Sequence, residues 1–310
     1  GRFRTTLDRR LQAAVEDRVR EHLTTFGREI TNAAAVAIDV VDASVLAHVG
    51  SAAFYDTPGG GQVDATRAPR SPGSALKPFT YALAMERNRL YPSEMLLDGP
   101  IDYGLYDPEN FDRQFRGVVS ADRALRESLN VPAIVVLERI GPAAIHDLLY
   151  RVGLSTIDQP ASHYGLGLTL GNCEVRLEEL AAAYCMLASL GEYRELKFVA
   201  DSIRGESKFC LSRGVCLALY EMMEQPLPDE RGSGLPVVNA PTRVCWKTGT
   251  STGYHDAWAF VFNRHYVVGV WLGNNDNRPS EKLVGIEAAV PLAATIFRSL
   301  PAKNSPDWPS

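Results

Sequence analysis

Arg70-Ser71-Pro72-Gly73-Ser74-Ala75-Leu76-Lys77-Pro78-Phe79 decides the reading of this 310-residue chain. Pro72-Gly73 breaks the backbone, and Phe79, Tyr81, Ala82, Leu83 and Met85 then follow in a helix-like pattern. A helix that starts here carries Ser74 and Lys77 at i and i+3, on one face. Lys77 then lies within reach of the Ser74 hydroxyl, and a neutral amine beside a serine can take its proton. The unpaired N–H groups of a helix start also favour developing negative charge. Pro78 suits a first turn, yet it disfavours helical backbone at Lys77 and so leaves the boundary open. From average residue usage, Ser-x-x-Lys turns up roughly once in a chain of this length. Alone, it is equally a capped surface helix with a solvated lysine.

Two later motifs change that balance. Ser128-Leu129-Asn130 precedes Val131-Pro132 and an apolar helix over 133–140. The proline break places Ser128 and Asn130 on a loop between that helix and one capped by Ser120. Lys247-Thr248-Gly249 lies in a strand-like run over 244–250. There the lysine brings positive charge, the threonine a hydroxyl, and the glycine room for another backbone to approach. Each motif occurs once, in this order, in a context that suits its chemistry. The set is the one that marks penicillin-binding proteins and class A β-lactamases.

Outward from these motifs the chain reads as ordinary globular protein, 45% hydrophobic and 22% charged, with a net charge of −5 spread along its length. No basic run points to nucleic acid. No stretch approaches the roughly 20 apolar residues that cross a bilayer. Gly1-Arg2-Phe3-Arg4 lacks the apolar region of a signal peptide. The five cysteines (Cys173, Cys185, Cys210, Cys216 and Cys245) include no Cys-x-x-Cys pair and have no histidine cluster, which argues against zinc. Cys210 and Cys216 could pair, but buried free thiols are the simpler reading.

Residues 5–25 predict an amphipathic helix capped by Asp8, with Leu11, Val15, Val19 and Leu23 as its stripe. Runs 35–41 and 45–49 predict a hairpin, and Pro58-Gly59-Gly60-Gly61 a loop. Residues 90–120 read as one long surface loop, in which Tyr103, Tyr106 and Asn110 could shape a substrate groove. Helices are expected over 142–152, 177–190 and 212–224, and turns over 226–241. Nearly unbroken apolar runs over 256–262 and 265–272, joined by Asn263-Arg264, predict strands covered on both faces. A helix over 287–300 closes the chain. His48, among strand residues, reads as structural. His255-Asp256 suggests a dyad, but neighbours on a strand point to opposite faces.

The residues around the motifs carry a resemblance. They include Gln62-Val63-Asp64, Arg67-Ala68-Pro69 running into Arg70, Asn110-Phe111-Asp112 and Phe115-Arg116-Gly117. They also include Ala124-Leu125-Arg126-Glu127 before Ser128, and Trp246 to Ser251 with Asp256-Ala257-Trp258. Over about residues 5–298 the chain resembles the transpeptidase domain of class A penicillin-binding proteins, of the 1C group. That resemblance implies an α+β fold, a three-layer α/β/α sandwich with an antiparallel sheet and the site at its edge. It divides the chain into a helical lead-in, 1–30, and a penicillin-binding transpeptidase domain, 31–310.

It further implies a serine-type D-Ala-D-Ala transpeptidase that works on peptidoglycan stem peptides, is acylated by β-lactam antibiotics, and uses no cofactor or metal. Ser74 would be the nucleophile, Lys77 its base, and Ser128 with Lys247 the proton relay to the leaving group. Asn130 would hold the peptide amide, and Thr248 and Thr250 the terminal carboxylate. The N–H groups of Ser74 and Thr250 would form the oxyanion hole, with Gly249 between the two threonines. The expected location is periplasmic or otherwise extracytoplasmic, with membrane attachment only through an anchor absent from this chain. The glycosyltransferase domain that precedes this region in the family is absent too, as is the small C-terminal domain of the 1C group.

Two rival readings share the acylation machinery. One is a β-lactamase-type hydrolase; the class A kind needs a Glu-x-x-Leu-Asn pattern, and residues 131–246 contain no Leu-Asn. The other is a non-catalytic β-lactam sensor or binding module, which would keep the same motifs.

Overall fold

The computed structural model describes residues 3–56, 59–101, 108–202, 205–227 and 244–303. Asp8 opens helix α1 (Arg9–Thr24), its carboxylate accepting from Arg10 N and Leu11 N, and the stripe Leu11, Val15, Val19 and Leu23 is buried. A hairpin comes next, β1 (Asn32–Asp39) and β2 (Ser44–Val49). A 3₁₀ turn (Gly73–Leu76) then leads into α2 (Lys77–Glu86).

The stretch expected as one long loop is not uniformly irregular. It contains a two-stranded antiparallel ribbon, β3 (Met95–Asp98) and β4 (Gly117–Ser120), with Leu96 opposite Val119 and Asp98 opposite Gly117. Strands of four residues give too few alternations to show a period in sequence. Tyr103 and Tyr106 lie outside the described residues.

Helices α3 (Ala121–Arg126), α4 (Asn130–Ile140), α5 (Pro142–Arg151) and α6 (Ala161–Tyr164) come after the ribbon. Ser128 and Leu129 of the second motif lie between helices. Asn130 is the first residue of α4, because Pro132 falls in the first turn, where no N–H is needed. After a second 3₁₀ segment (Gly165–Leu170) come α7 (Leu177–Ala188), the short pair β5 (Glu192–Tyr193) and β6 (Lys208–Phe209), and α8 (Arg213–Met223). Of the turn-rich stretch, residues 228–241 lie outside the described residues, as does Pro58 of the glycine-rich loop. The chain ends in β7 (Cys245–Thr250), β8 (Asp256–Phe262), β9 (Tyr266–Gly273) and α9 (Val290–Arg298). One π turn, Gly285–Ala289, stands where the sequence predicts the start of the closing helix.

Five strands form one antiparallel sheet in the order β2-β1-β9-β8-β7. Its period-two alternation builds two cores. Trp258, Phe260 and Phe262 of β8, with Val36 and Ile38 of β1, face the helices α2, α4, α5, α7 and α8. Ala257, Ala259 and Val261 face the other way, with Val268 and Val270, onto α1 and α9. This burial on both faces is why the strands read as unbroken apolar runs. Each fully buried aromatic contributes roughly 1.5–3 kcal/mol. The molecule is thus an α/β/α sandwich, and all five cysteines are free thiols.

Candidate active site

Strand β7 is an edge of the sheet, and the Ser74 turn lies against it. Two glycines permit the approach. A Cβ on Gly249 would stand 2.1 Å from Pro72 O, and one on Gly73, which has φ +52°, would stand 2.3 Å from Thr250 O. Three side-chain bonds fix the turn from behind. Trp258 Nε1 donates to Ser71 O at 2.7 Å, Ser71 Oγ to Gly171 O at 2.8 Å, and Tyr184 OH to Ala75 O at 2.8 Å.

The first motif therefore spans a change of helix type. Ser74 sits in the 3₁₀ turn and Lys77 is the first residue of α2; its backbone is helical, φ −53° and ψ −42°, despite the proline after it. Lys77 is fully buried. Its amine donates to Ser128 O, to Asn130 Oδ1 at 2.7 Å, and over 3.4 Å to Ser128 Oγ. Lys247 Nζ donates to the same Ser128 Oγ at 2.7 Å and to Thr248 O at 3.0 Å. Ser128 Oγ is thus held between two amines, on a residue with left-handed backbone, φ +59°. The half-buried Ser74 hydroxyl makes no hydrogen bond among the described residues. The expected Lys77–Ser74 contact is replaced by Lys77 bonds to Ser128 and Asn130.

Burial holds the Lys77 amine well below the usual lysine range; the charge of Lys247 lowers it further and that of Asp98 raises it. Burial brings Lys247 down to about 7. No carboxylate is hydrogen-bonded to Lys77, Ser128 or Lys247 among the described residues.

The third motif splits by pleat. Lys247 and Gly249 are buried, while Thr248 and Thr250 are half-buried on the other face. Thr250 Oγ1 accepts from Gly285 N at 2.9 Å, so its side chain is tied into the fold. Ser251 N donates to Asp256 O at 3.0 Å, which marks a hydrogen-bonded pair. By antiparallel alternation the N–H groups of Thr248 and Thr250 point away from β8, to the outer edge. That edge is where the Ser74 turn lies, and Ser74 N–H, in the first turn of a helix, has no partner within it.

The sequence missed the support beneath this cluster. Asn110 Oδ1 accepts Asn130 N at 2.8 Å, and Asn130 Nδ2 donates to Glu109 O at 2.7 Å. Asn110 Nδ2 in turn donates to both oxygens of Asp98, at 2.9 and 2.8 Å. In sequence, Asn110 stands out only as a loop residue and as part of the resemblance, and Asp98 carries no signal of its own. A cavity of about 810 Å³, bounded by Ser71, Tyr164, Gly171, Glu174 and Thr252 among others, opens beside Ser71.

His48 and His255 are both tied into the fold. His48 Nε2 pairs with Thr66 Oγ1 at 2.8 Å. His255 Nδ1 bonds Asn277 O at 2.7 Å, while Asp256 Oδ1 accepts Trp271 Nε1 at 2.9 Å. Among the described residues, no group of three His, Cys, Asp or Glu could hold a metal ion, and no helix is long and apolar enough to cross a membrane.

An α/β/α sandwich with Ser-x-x-Lys at a helix start, Ser-x-Asn running from an inter-helix turn into the next helix and Lys-Thr-Gly on an edge strand defines the class shared by penicillin-binding proteins and β-lactamases. Within that class, residues 33–272 match the family model "Penicillin binding protein transpeptidase domain". The chain belongs to the penicillin-binding protein transpeptidase family. It is 38% identical over 304 residues to penicillin-binding protein 1C of Escherichia coli K12, covering 97% of this chain and 38% of that one. It is 26% identical over 320 residues to penicillin-binding protein 1B of Vibrio cholerae, covering 97% and 40%. The chain thus spans well under half the length of these relatives. Among solved structures it is similar to PonA1 of Mycobacterium tuberculosis in complex with penicillin V, with TM-score 0.81 at 21% identity over 99% of this chain and 88% of that one.

Proposed function

We propose that this chain is the transpeptidase unit of a class A penicillin-binding protein and cross-links peptidoglycan stem peptides. Ser74 Oγ attacks the carbonyl between the last two D-alanines, and Lys77, kept neutral by burial and by Lys247, takes the proton. The N–H groups of Ser74 and Thr250 receive the oxyanion. Ser128, held by Lys247, passes a proton to the departing D-alanine amine, which leaves an ester on Ser74. An amine from a neighbouring stem then attacks that ester and frees the serine. Asn130 holds the peptide amide. Thr248 and Thr250 face the terminal carboxylate, Thr250 with the hydroxyl hydrogen left to it. β-Lactams acylate Ser74 by the same first step. Residues 31–310 form the catalytic unit and 1–30 lead into it; the site works on the extracytoplasmic side of the membrane.

One observation carries this reading: Ser128 Oγ is held between the amines of Lys77 and Lys247, while the Ser74 hydroxyl makes no hydrogen bond among the described residues. Ser74→Ala should abolish labelling by a fluorescent penicillin in a protein that still folds. The loss should be on the order of 10⁴-fold or more, about 5 kcal/mol of barrier. Undiminished labelling of folded Ser74→Ala would overturn the assignment.

A further inference from the structure

Asp98 ends β3 with a carboxylate that is 0% exposed. Such a charge is expensive to bury unless it is fully hydrogen-bonded. Its donors are Asn110 Nδ2 and Arg116 N, the latter at 2.7 Å. We infer that Asp98 is a positioning residue for acylation: acting through Asn110, it fixes Asn130 and with it the amine of Lys77. The inference rests on the transpeptidase reading of Ser74 and Lys77.

Donors and acceptors set the direction of this chain of bonds. An ionised carboxylate only accepts, so Asn110 must turn its NH₂ toward Asp98. Its carbonyl then faces the first N–H of α4, at Asn130, a donor with no partner inside the helix. A flipped amide would set two acceptors against each other at Asp98 and two donors at Asn130. Asn130, held at its backbone by Asn110 and at its side chain by Glu109 O, presents Oδ1 to Lys77 Nζ. The chain Asp98–Asn110–Asn130–Lys77 is therefore polar in one sense only, and the carboxylate sets that sense.

Asp98 also acts by its charge. Lys77 feels Lys247 of β7 and Asp98 of β3 with opposite effect. Tyr81 of α2 also feels the charge of Asp98, and that of Arg139 of α4 with opposite effect. An Asp98→Asn protein loses the directing charge, so the Asn110 amide can turn, and Lys77 holds its proton less tightly.

The test is the second-order rate of acylation by a penicillin, measured by intact mass across pH. In Asp98→Asn the rate should fall tenfold or more, and the acid limb of the profile should move to lower pH. A merely structural residue would not move that limb. Asn110→Ser keeps a donor for Asp98 but is too short to reach Asn130 N as well; its rate should fall similarly with the limb in place. If Asp98→Asn does not fold, Asn110→Ser decides. Wild-type rates and an unmoved limb in the folded variants overturn the inference alone. Failure of the wild-type protein to acylate at all overturns the transpeptidase reading with it.

Discussion

Lys77 and Lys247 set stability against chemistry. Both amines are buried, and both hold their protons less tightly than an exposed lysine. Between the folded and unfolded values the unfolded chain binds more protons, so stability rises with pH there and flattens below. Denaturant unfolding of the wild type should therefore show a stability that climbs from about pH 7 towards pH 10. Lys77→Met should be more stable at neutral pH, by about 1–4 kcal/mol, with a shallower climb and no acylation. An unchanged slope would contradict the shifted amine. In labelling, Lys77→Arg should be nearly dead because a guanidinium gives up no proton, whereas Lys247→Arg should keep some activity through its charge. The five residues Ser74, Lys77, Ser128, Asn130 and Lys247 were legible because each sits in a short local pattern. Asp98 was not, since a lone aspartate becomes informative only when the fold brings Asn110 and Arg116 onto it.

At the scale of elements, the close meeting of β7 with the Ser74 turn matters most. A methyl group on Gly249 would overlap Pro72 O and press on Ala75 Cβ, 3.2 Å away. Gly249→Ala must therefore move the strand or the turn, separating Thr250 N–H from Ser74. A displacement near 1 Å lowers rates by about 10²-fold, and penicillin labelling should fall by that order while the protein stays folded. Gly214→Ala, in α8 with open space around it, should leave labelling unchanged and stabilise by up to about 1 kcal/mol. Equal labelling in the two variants would show that the contact is not critical. Legibility at this scale tracked length. The long helices showed their periods, the strands β8 and β9 their unbroken apolar runs, and Asp8 its cap. The ribbon β3–β4 did not, because its four-residue strands alternate too briefly. The segment from Ala161 to Leu170 escaped as well, being one short helix and one 3₁₀ run.

For the molecule as a whole, the fate of the acylated serine separates a transpeptidase from a hydrolase. Class A hydrolysis needs a carboxylate that activates water beside the ester. Here Asp98 is separated from Lys77 by Asn110 and Asn130, and no carboxylate bonds Lys77, Ser128 or Lys247 among the described residues. The penicilloyl adduct should therefore persist for at least many minutes after excess drug is removed, tracked as a mass increase of one drug molecule. Return to the free mass within seconds would make the chain a hydrolase. The sheet order has a different consequence, for how the protein is made. At the seam of the sheet Asn32 pairs with Gly273, so one of the first strands synthesised lies beside one of the last. A nascent chain lengthens by roughly 5–20 residues per second. While it does, the helices between α2 and α8 have neighbours to collapse upon, but β1 has only β2 as a strand partner. The sheet can close only when β9 emerges, and non-local pairing of this kind is slow. The edge that completes the proposed Ser74 site is thus among the last parts of the domain to take shape, and a half-made chain carries Ser74 without the strand that packs against its turn.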